Sequence, residues 1–182
     1  NEQIFNNAAK THFVTNGTHN VPIVIRMVIG RGWGQGPAHS QSLETIFSYM
    51  PGLQVLMPGT AFDAKGMLIS ALEDPNPVMV LEHRWFHYVT GNVQKKIFKT
   101  NISKPSVLEK GKDLTIVSCS YGLYECIFAS KILKKFDINI EIIDLRVLRP
   151  LDISPILKSI KKTKKLILFE NGYKMFGIGA EI

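Results

Sequence analysis

Apolar positions along the chain fall into stripes and short runs that switch between two periods. Ile4, Phe5, Ala8, Ala9 and Phe13 recur at helical spacing, and Gly17 stands where that helix would end. Val21–Ile29, "VPIVIRMVI", is continuous and rich in β-branched residues, which predicts a strand covered on both faces. Leu43, Ile46, Phe47 and Met50 form the stripe of a second helix, and "LQVLM" is a short strand stopped by Pro58. "TAFDAKGMLISAL" opens with Thr60 and Asp63 spaced as a capping-box-like pair, so a third helix starts there, and "PVMVLE" follows as another buried strand. From His83 to about Lys112 the periodicity lapses. It then resumes with "LTIVSCS" (strand), "GLYECIFASKILKKF" (helix), "INIEIIDL" (strand), "ISPILKSIKK" (helix) and "KLILFE" (strand).

Helix–strand alternation of this kind implies an α/β fold with parallel strands joined by right-handed crossovers. A long stretch without periodicity is unusual inside one compact domain, so part of it is expected to connect two domains. The expected division is a parallel-sheet domain over 1–92, a linker over 93–112, and a smaller α/β domain over 113–182.

The chain has 182 residues, 45% of them hydrophobic and 20% charged, as in ordinary globular proteins. No apolar run approaches the roughly 18 residues of a membrane span, and "NEQIFNNAAK" lacks the layout of a signal peptide. The first residue, Asn1, is not Met, so a fragment or processed form is expected. Cys119 and Cys126 are too few for a disulfide framework and match no zinc spacing, which points to a reducing cytoplasm. The net charge of +7 raises the question of nucleic acid. Its densest basic run, Lys158–Lys165, fits the last turn of a helix, where lysines face the negative dipole end. No aromatic residues interleave it as stacking platforms, so neither nucleic acid nor membrane is expected as a partner.

Candidate chemistry gathers at the ends of the first block's strands. Gly30, Gly32, Gly34 and Gly36 follow a strand, yet Gln35 stands where a dinucleotide fingerprint needs its third glycine, and no Gly-Lys-Ser/Thr follows. His83 and His87 are four apart, but Glu82 precedes them rather than lying between them, which is not the zincin order. His39 lies past the first strand, at the expected start of the helix bearing Leu43 and Ile46. Ligands of open α/β sheets bind beyond the carboxyl ends of strands. A helix N-terminus there would disfavour imidazolium and make His39 a neutral acid–base or hydrogen-bonding group. Its bland alternative is a histidine at the surface or core edge.

The segments "VPIVIR", "GPAHSQS", "PGLQVLMPGTAFDAKGMLISALEDPNPVMVLE", "TIVSCSYGLYEC", "IEIIDLRVLRPLD" and "LFENGYKMFGIGAEI" resemble the β subunit of thiamine-diphosphate-dependent 2-oxoacid dehydrogenases. The pyruvate dehydrogenase type, within the transketolase superfamily, is the nearest branch. The resemblance implies a pyrimidine-binding domain followed by a transketolase-type C-terminal domain, each lacking part of its usual length. It implies oxidative decarboxylation of pyruvate or a related 2-oxo acid, with acyl transfer to lipoamide. His39 matches the family's active-site histidine in the thiamine channel. Ile23, Ala71, Leu72, Asp74 and Asn76 match a potassium site built from backbone oxygens, although Asp74-Pro75-Asn76 also reads simply as a turn.

The resemblance further implies thiamine diphosphate with Mg2+, shared with an α subunit in an assembly of two α and two β chains. A lipoyl acyltransferase core is the implied acyl acceptor. The implied location is the cytoplasm, or a mitochondrial matrix or plastid in a eukaryote. The family's pyrimidine-contacting glutamate and stacking aromatic would lie upstream of Asn1, so these 182 residues alone are expected to be inactive. "RGWGQGP" departs from the alanine-rich loop of pyruvate enzymes, which leaves the 2-oxo acid open. Two alternatives stand beside this reading: a ketol transferase or deoxyxylulose phosphate synthase of the same superfamily, and a non-catalytic β-like assembly or regulatory partner.

Overall fold

A computed structural model describes residues 2–182, so Asn1 lies outside the described residues. It contains two four-stranded sheets, each carrying helices. A wide-turned helical segment, Gln3–Ala8, runs into α1 (Ala9–Val14), and Gly17 closes it with N–H to the His12 carbonyl (2.8 Å). The chain continues through β1 (Val24–Ile29), α2 (Glu44–Ser48), β2 (Gln54–Leu56), α3 (Ala61–Leu72) and β3 (Val78–His83). β4 (Ser106–Glu109), β5 (Leu114–Ser118), α4 (Ser120–Leu133), β6 (Ile140–Asp144), β7 (Val147–Arg149), α5 (Ser154–Thr163) and β8 (Leu166–Phe169) follow.

The first sheet has the order β1-β3-β2-β7, and the second β4-β6-β5-β8. β1, β3 and β2 are parallel, as are β6, β5 and β8, in line with the alternating pattern. Each sheet ends in an antiparallel strand, β7 against β2 and β4 against β6. β7 comes from the second block of sequence, so that block completes the first sheet. The buried core is shared in the same way: Val55, Met79 and Leu81 of the first sheet belong to one cluster with Val117, Ile143, Leu145 and Ile156.

Three sequence expectations give way. Val21–Ile29 is not covered on both faces: β1 is an edge strand, and Arg26 and Val28 on it are exposed. Phe13 and Ile46 leave their predicted stripes and lie exposed, because α1 and α2 are too short to bury more than one row of side chains. The stretch 93–112 is not a bare linker. Lys65 Nζ donates to the carbonyls of Gln94, Lys95 and Lys96 (2.6, 3.3 and 3.0 Å), Phe98 stacks on Phe62 (4.4 Å), and Thr100 N–H bonds the Gly66 carbonyl. A Cβ on Gly66 would collide with the side chains of Thr100 and Phe98, so glycine in α3 lets the strap lie against the helix. The strap then enters β4, whose four residues are too few to show a period.

Thr60 caps α3 as its spacing predicts, its Oγ1 accepting from Asp63 N–H (3.0 Å). The helix starts immediately beyond the carboxyl end of β2, and this places its first turn beside the ends of β1 and β3.

Candidate active site

β1 ends at Ile29, and the next residues form a closed loop. Gly30 N–H donates to the Gln41 carbonyl (2.8 Å), so the segment between them leaves the sheet and returns to the same point. Gly30, Gly32, Gly34 and Gly36 take φ of +132°, +78°, +83° and +74°, the left-handed region that favours glycine. Trp33 anchors the loop: its indole N–H donates to the Gly30 carbonyl (2.8 Å), and the Arg84 guanidinium lies 5.0 Å from its ring centroid.

His39 is exposed on this loop, in a turn where its N–H meets the Gly36 carbonyl at 3.4 Å. It does not start a helix. α2 begins five residues later at Glu44 and is itself only five residues long, so no helix dipole acts on the imidazole. Gly36, Pro37 and the closing Gly30–Gln41 bond hold 36–41 outside helical geometry. What survives of the expectation is the position: His39 stands beyond the carboxyl end of a parallel strand. The cofactor-contacting glutamate and aromatic expected upstream of Asn1 lie outside the described residues, as Asn1 itself does.

Beside the end of β1, β3 ends with Glu82 and His83. Arg26 on β1 donates both Nε and Nη2 to the two Glu82 oxygens (2.8 and 2.9 Å), closing one side of a cavity of about 230 Å³. Thr60, His83, Phe86 and His87 line the rest. His83 is 3% exposed. Its Nδ1 accepts from Trp85 N–H (3.3 Å), and its ring stacks on Tyr121 of α4 (centroids 5.0 Å apart, planes 17°). Burial holds its pKa below the ordinary histidine value, so the ring is neutral. His87 is exposed on the following 3₁₀ turn, with Nδ1 against Arg84 Nη1 (3.2 Å). The two histidines do not share a metal-binding face, and no group of three or more His, Cys, Asp or Glu suited to a metal occurs among the described residues.

The residues matched to a potassium site come together at the opposite end of the sheet. The Ile23 carbonyl accepts from Val78 N–H (2.9 Å), and the Ala71 carbonyl from Asp74 N–H (3.2 Å). Asp74 Oδ1 accepts from both the backbone and the side-chain N–H of Asn76 (2.8 and 3.1 Å), which makes the segment an Asx turn. Leu72 is exposed.

A further group between the sheets has no signal in the sequence. Arg146 Nη1 donates to Asp63 Oδ1 (2.6 Å), and both residues are buried. Asp144, fully buried on β6, accepts Arg146 N–H at Oδ1 (3.0 Å), while its Oδ2 has no partner among the described residues. Burial first, and the Asp63 charge second among the raising influences, push its pKa up to about 7. Asp63 and Arg146 are 83 positions apart, and no local spacing links them.

Comparison with known proteins adds to this geometry. The family described as "Transketolase, pyrimidine binding domain" matches residues 2–85, and "Transketolase, C-terminal domain" matches 103–182. The chain is 41% identical to the pyruvate dehydrogenase E1 component subunit beta of Drosophila melanogaster and 39% identical to that of Rickettsia bellii. These alignments take in 100% of this chain and 51% and 56% of the relatives. It is 34% identical to the beta subunit of acetoin:2,6-dichlorophenolindophenol oxidoreductase from Cupriavidus necator, over 100% of this chain and 54% of that one. The chain thus spans about half the length of these curated relatives. A solved structure described as "Split gene transketolase, inactive beta4 tetramer" shares the fold, with TM-score 0.74 at 20% identity over 98% of this chain and 57% of that one.

Proposed function

The chain belongs to the transketolase superfamily, through a pyrimidine-binding domain followed by a C-terminal domain, and from that premise we propose that it is part of the β subunit of a 2-oxoacid dehydrogenase. The observation that carries the reading is identity of 34–41% along the whole chain to pyruvate dehydrogenase and acetoin-oxidising β subunits, with His39 presented beyond the strand ends. The substrate class is pyruvate or a related 2-oxo acid, and the product acyl group passes to lipoamide on an acyltransferase core. The working assembly pairs two such β chains with two α chains.

Bound thiamine diphosphate would supply the carbanion chemistry that cleaves the bond to the carboxylate. The residues present fit a share of that site rather than all of it. They offer an open strand end and an accessible imidazole, while the diphosphate and its Mg2+ fall to the α subunit. His39, exposed on a loop anchored by Trp33, is free to donate a hydrogen bond to the substrate's oxygen or to move a proton during acyl transfer. Potassium fits the opposite end of the sheet. There the carbonyls of Ile23, Ala71, Leu72, Asp74 and Asn76 would hold it, those of Ile23 and Ala71 keeping a lone pair beyond their hydrogen bonds, and a hard cation suits such oxygens. Relatives include mitochondrial and bacterial proteins, and no described helix is long and apolar enough to cross a membrane; a matrix or cytoplasmic location fits.

The test replaces His39 by Ala in the complete polypeptide that carries these residues, assembled with its α subunit. Lipoamide acylation should fall about a hundredfold to ten-thousandfold, the usual range for acid–base assistance, with cofactor affinity little changed. Unchanged turnover would return His39 to a surface role.

A further inference from the structure

We propose that His83 is a positioning residue for the loop that carries His39, acting through the space Gly30 leaves empty and through Tyr121 of the second half. The register pairs Ile29 with His83, so the imidazole sits beside the point where β1 gives way to the loop. A Cβ built on Gly30 would stand 2.9 Å from His83 Nε2 and 3.0 Å from Cε1. The imidazole edge thus packs directly against the backbone at the loop's base, where a larger residue would be forced off. Two of the loop's contacts start from that base: Gly30 N–H closes the loop on Gln41, and the Gly30 carbonyl holds the Trp33 indole.

His83 is itself held on three sides. Trp85 N–H donates to Nδ1, which fixes the tautomer with its proton on Nε2. Tyr121 covers one face of the ring at 5.0 Å, and Phe86 meets it edge-on at 6.2 Å. Arg84, the next residue in the chain, reaches over Trp33 and ties the same strand end to the loop a second time. A rigid, neutral, buried ring therefore supports the base of a glycine-rich loop whose own backbone supplies little stiffness. A loop displaced by about 1 Å costs on the order of a hundredfold in rate when it carries a reacting group. The catalytic part of this inference rests on His39 acting as proposed above. The structural part does not.

The experiment reads both parts. These 182 residues hold two tryptophans, so a Trp85→Phe background leaves Trp33 as their one indole and a reporter of loop order. In that background His83→Ala should increase acrylamide quenching of Trp33, and His83→Asn, which keeps an acceptor for the residue 85 N–H, should restore part of the protection. Gly30→Ala should also expose Trp33. Combined with His83→Ala its added effect should shrink, because the clash with the imidazole is gone while the backbone strain remains in both. In the complete assembly, His83→Ala should lower kcat about tenfold to a hundredfold with KM for the 2-oxo acid unchanged. Trp33 quenching that stays at the parent level in folded His83→Ala and His83→Asn, or effects of Gly30 and His83 that simply add, would overturn the proposal. A parent assembly inactive with every 2-oxo acid would count against the functional reading alone, and Trp33 quenching would still decide the role of His83.

Discussion

Besides the β2–β7 pairing and the shared core, the two halves of the molecule meet along two seams of opposite chemistry. At one, His83 from β3 lies flat on Tyr121 from α4, with Trp85 and Tyr124 packed around them. At the other, the first turn of α3 meets the end of β6: of two buried carboxyl groups, Asp63 bonds the Arg146 guanidinium and Asp144 the Arg146 backbone N–H. The aromatic seam holds by neutral ring packing, whose stacked geometry is worth about 0.5–1.5 kcal/mol beyond the area it buries. The charged seam is costlier to break, because a buried charge without its partner is severely destabilising. The neutral contact lies at the base of the loop that bears His39, and the charged one lies under the start of α3.

The sharpest way to break this contrast is Arg146→Met. It strands Asp63 as a buried unpaired charge and should cost about 3–5 kcal/mol in urea unfolding. Adding Asp63→Asn should recover most of that loss, and a loss of under about 1 kcal/mol for the single change would show that the seam is wetter than it looks.

Acidity sharpens the comparison next. The fold favours protonated Asp144, whose pKa stands at about 7 against an ordinary 3.8. Its contribution is therefore complete below about pH 4 and is lost as pH rises through about 7, a change on the order of 4 kcal/mol. Asp144→Asn should remove that slope and leave the protein more stable than the parent at pH 8. Unfolding midpoints measured from pH 4 to pH 8 check it, and parallel curves for parent and variant would refute the assignment.

The smallest effect belongs to the aromatic seam. Tyr121→Ala should cost about 1 kcal/mol for the lost ring stack, plus a modest packing loss, with no pH dependence between 6 and 8. A loss comparable to that of Arg146→Met would erase the distinction between the seams.

The elements visible in the sequence are those long enough to show a period. α3, α4 and α5 and the parallel strands β3, β5 and β6 stand where their apolar stripes and runs fall, and Thr60 caps α3 as its spacing foretells. β4 and β7 do not show, because neither lies in a continuous apolar run, and both are edge strands defined by what they pair with. His39 is legible as a residue beyond a strand end, though the helix start expected there is absent. Gly36-Pro37 and the Gly30–Gln41 hydrogen bond hold the chain out of helical geometry until Glu44. His83 is legible only as half of an unsuitable metal pair. Its partners Tyr121 and Gly30 are distant in the chain, and no spacing rule joins them.

Local interactions are written in neighbouring residues, so the sequence alone determined the α/β alternation, the cap of α3, the glycine-rich break after β1 and the family to which the chain is similar. Which strand completes which sheet, which histidine is buried, and which carboxylate keeps its proton were decided only by tertiary structure. Those outcomes depend on desolvation and on contacts such as Asp63–Arg146, between residues that only folding brings within hydrogen-bonding distance.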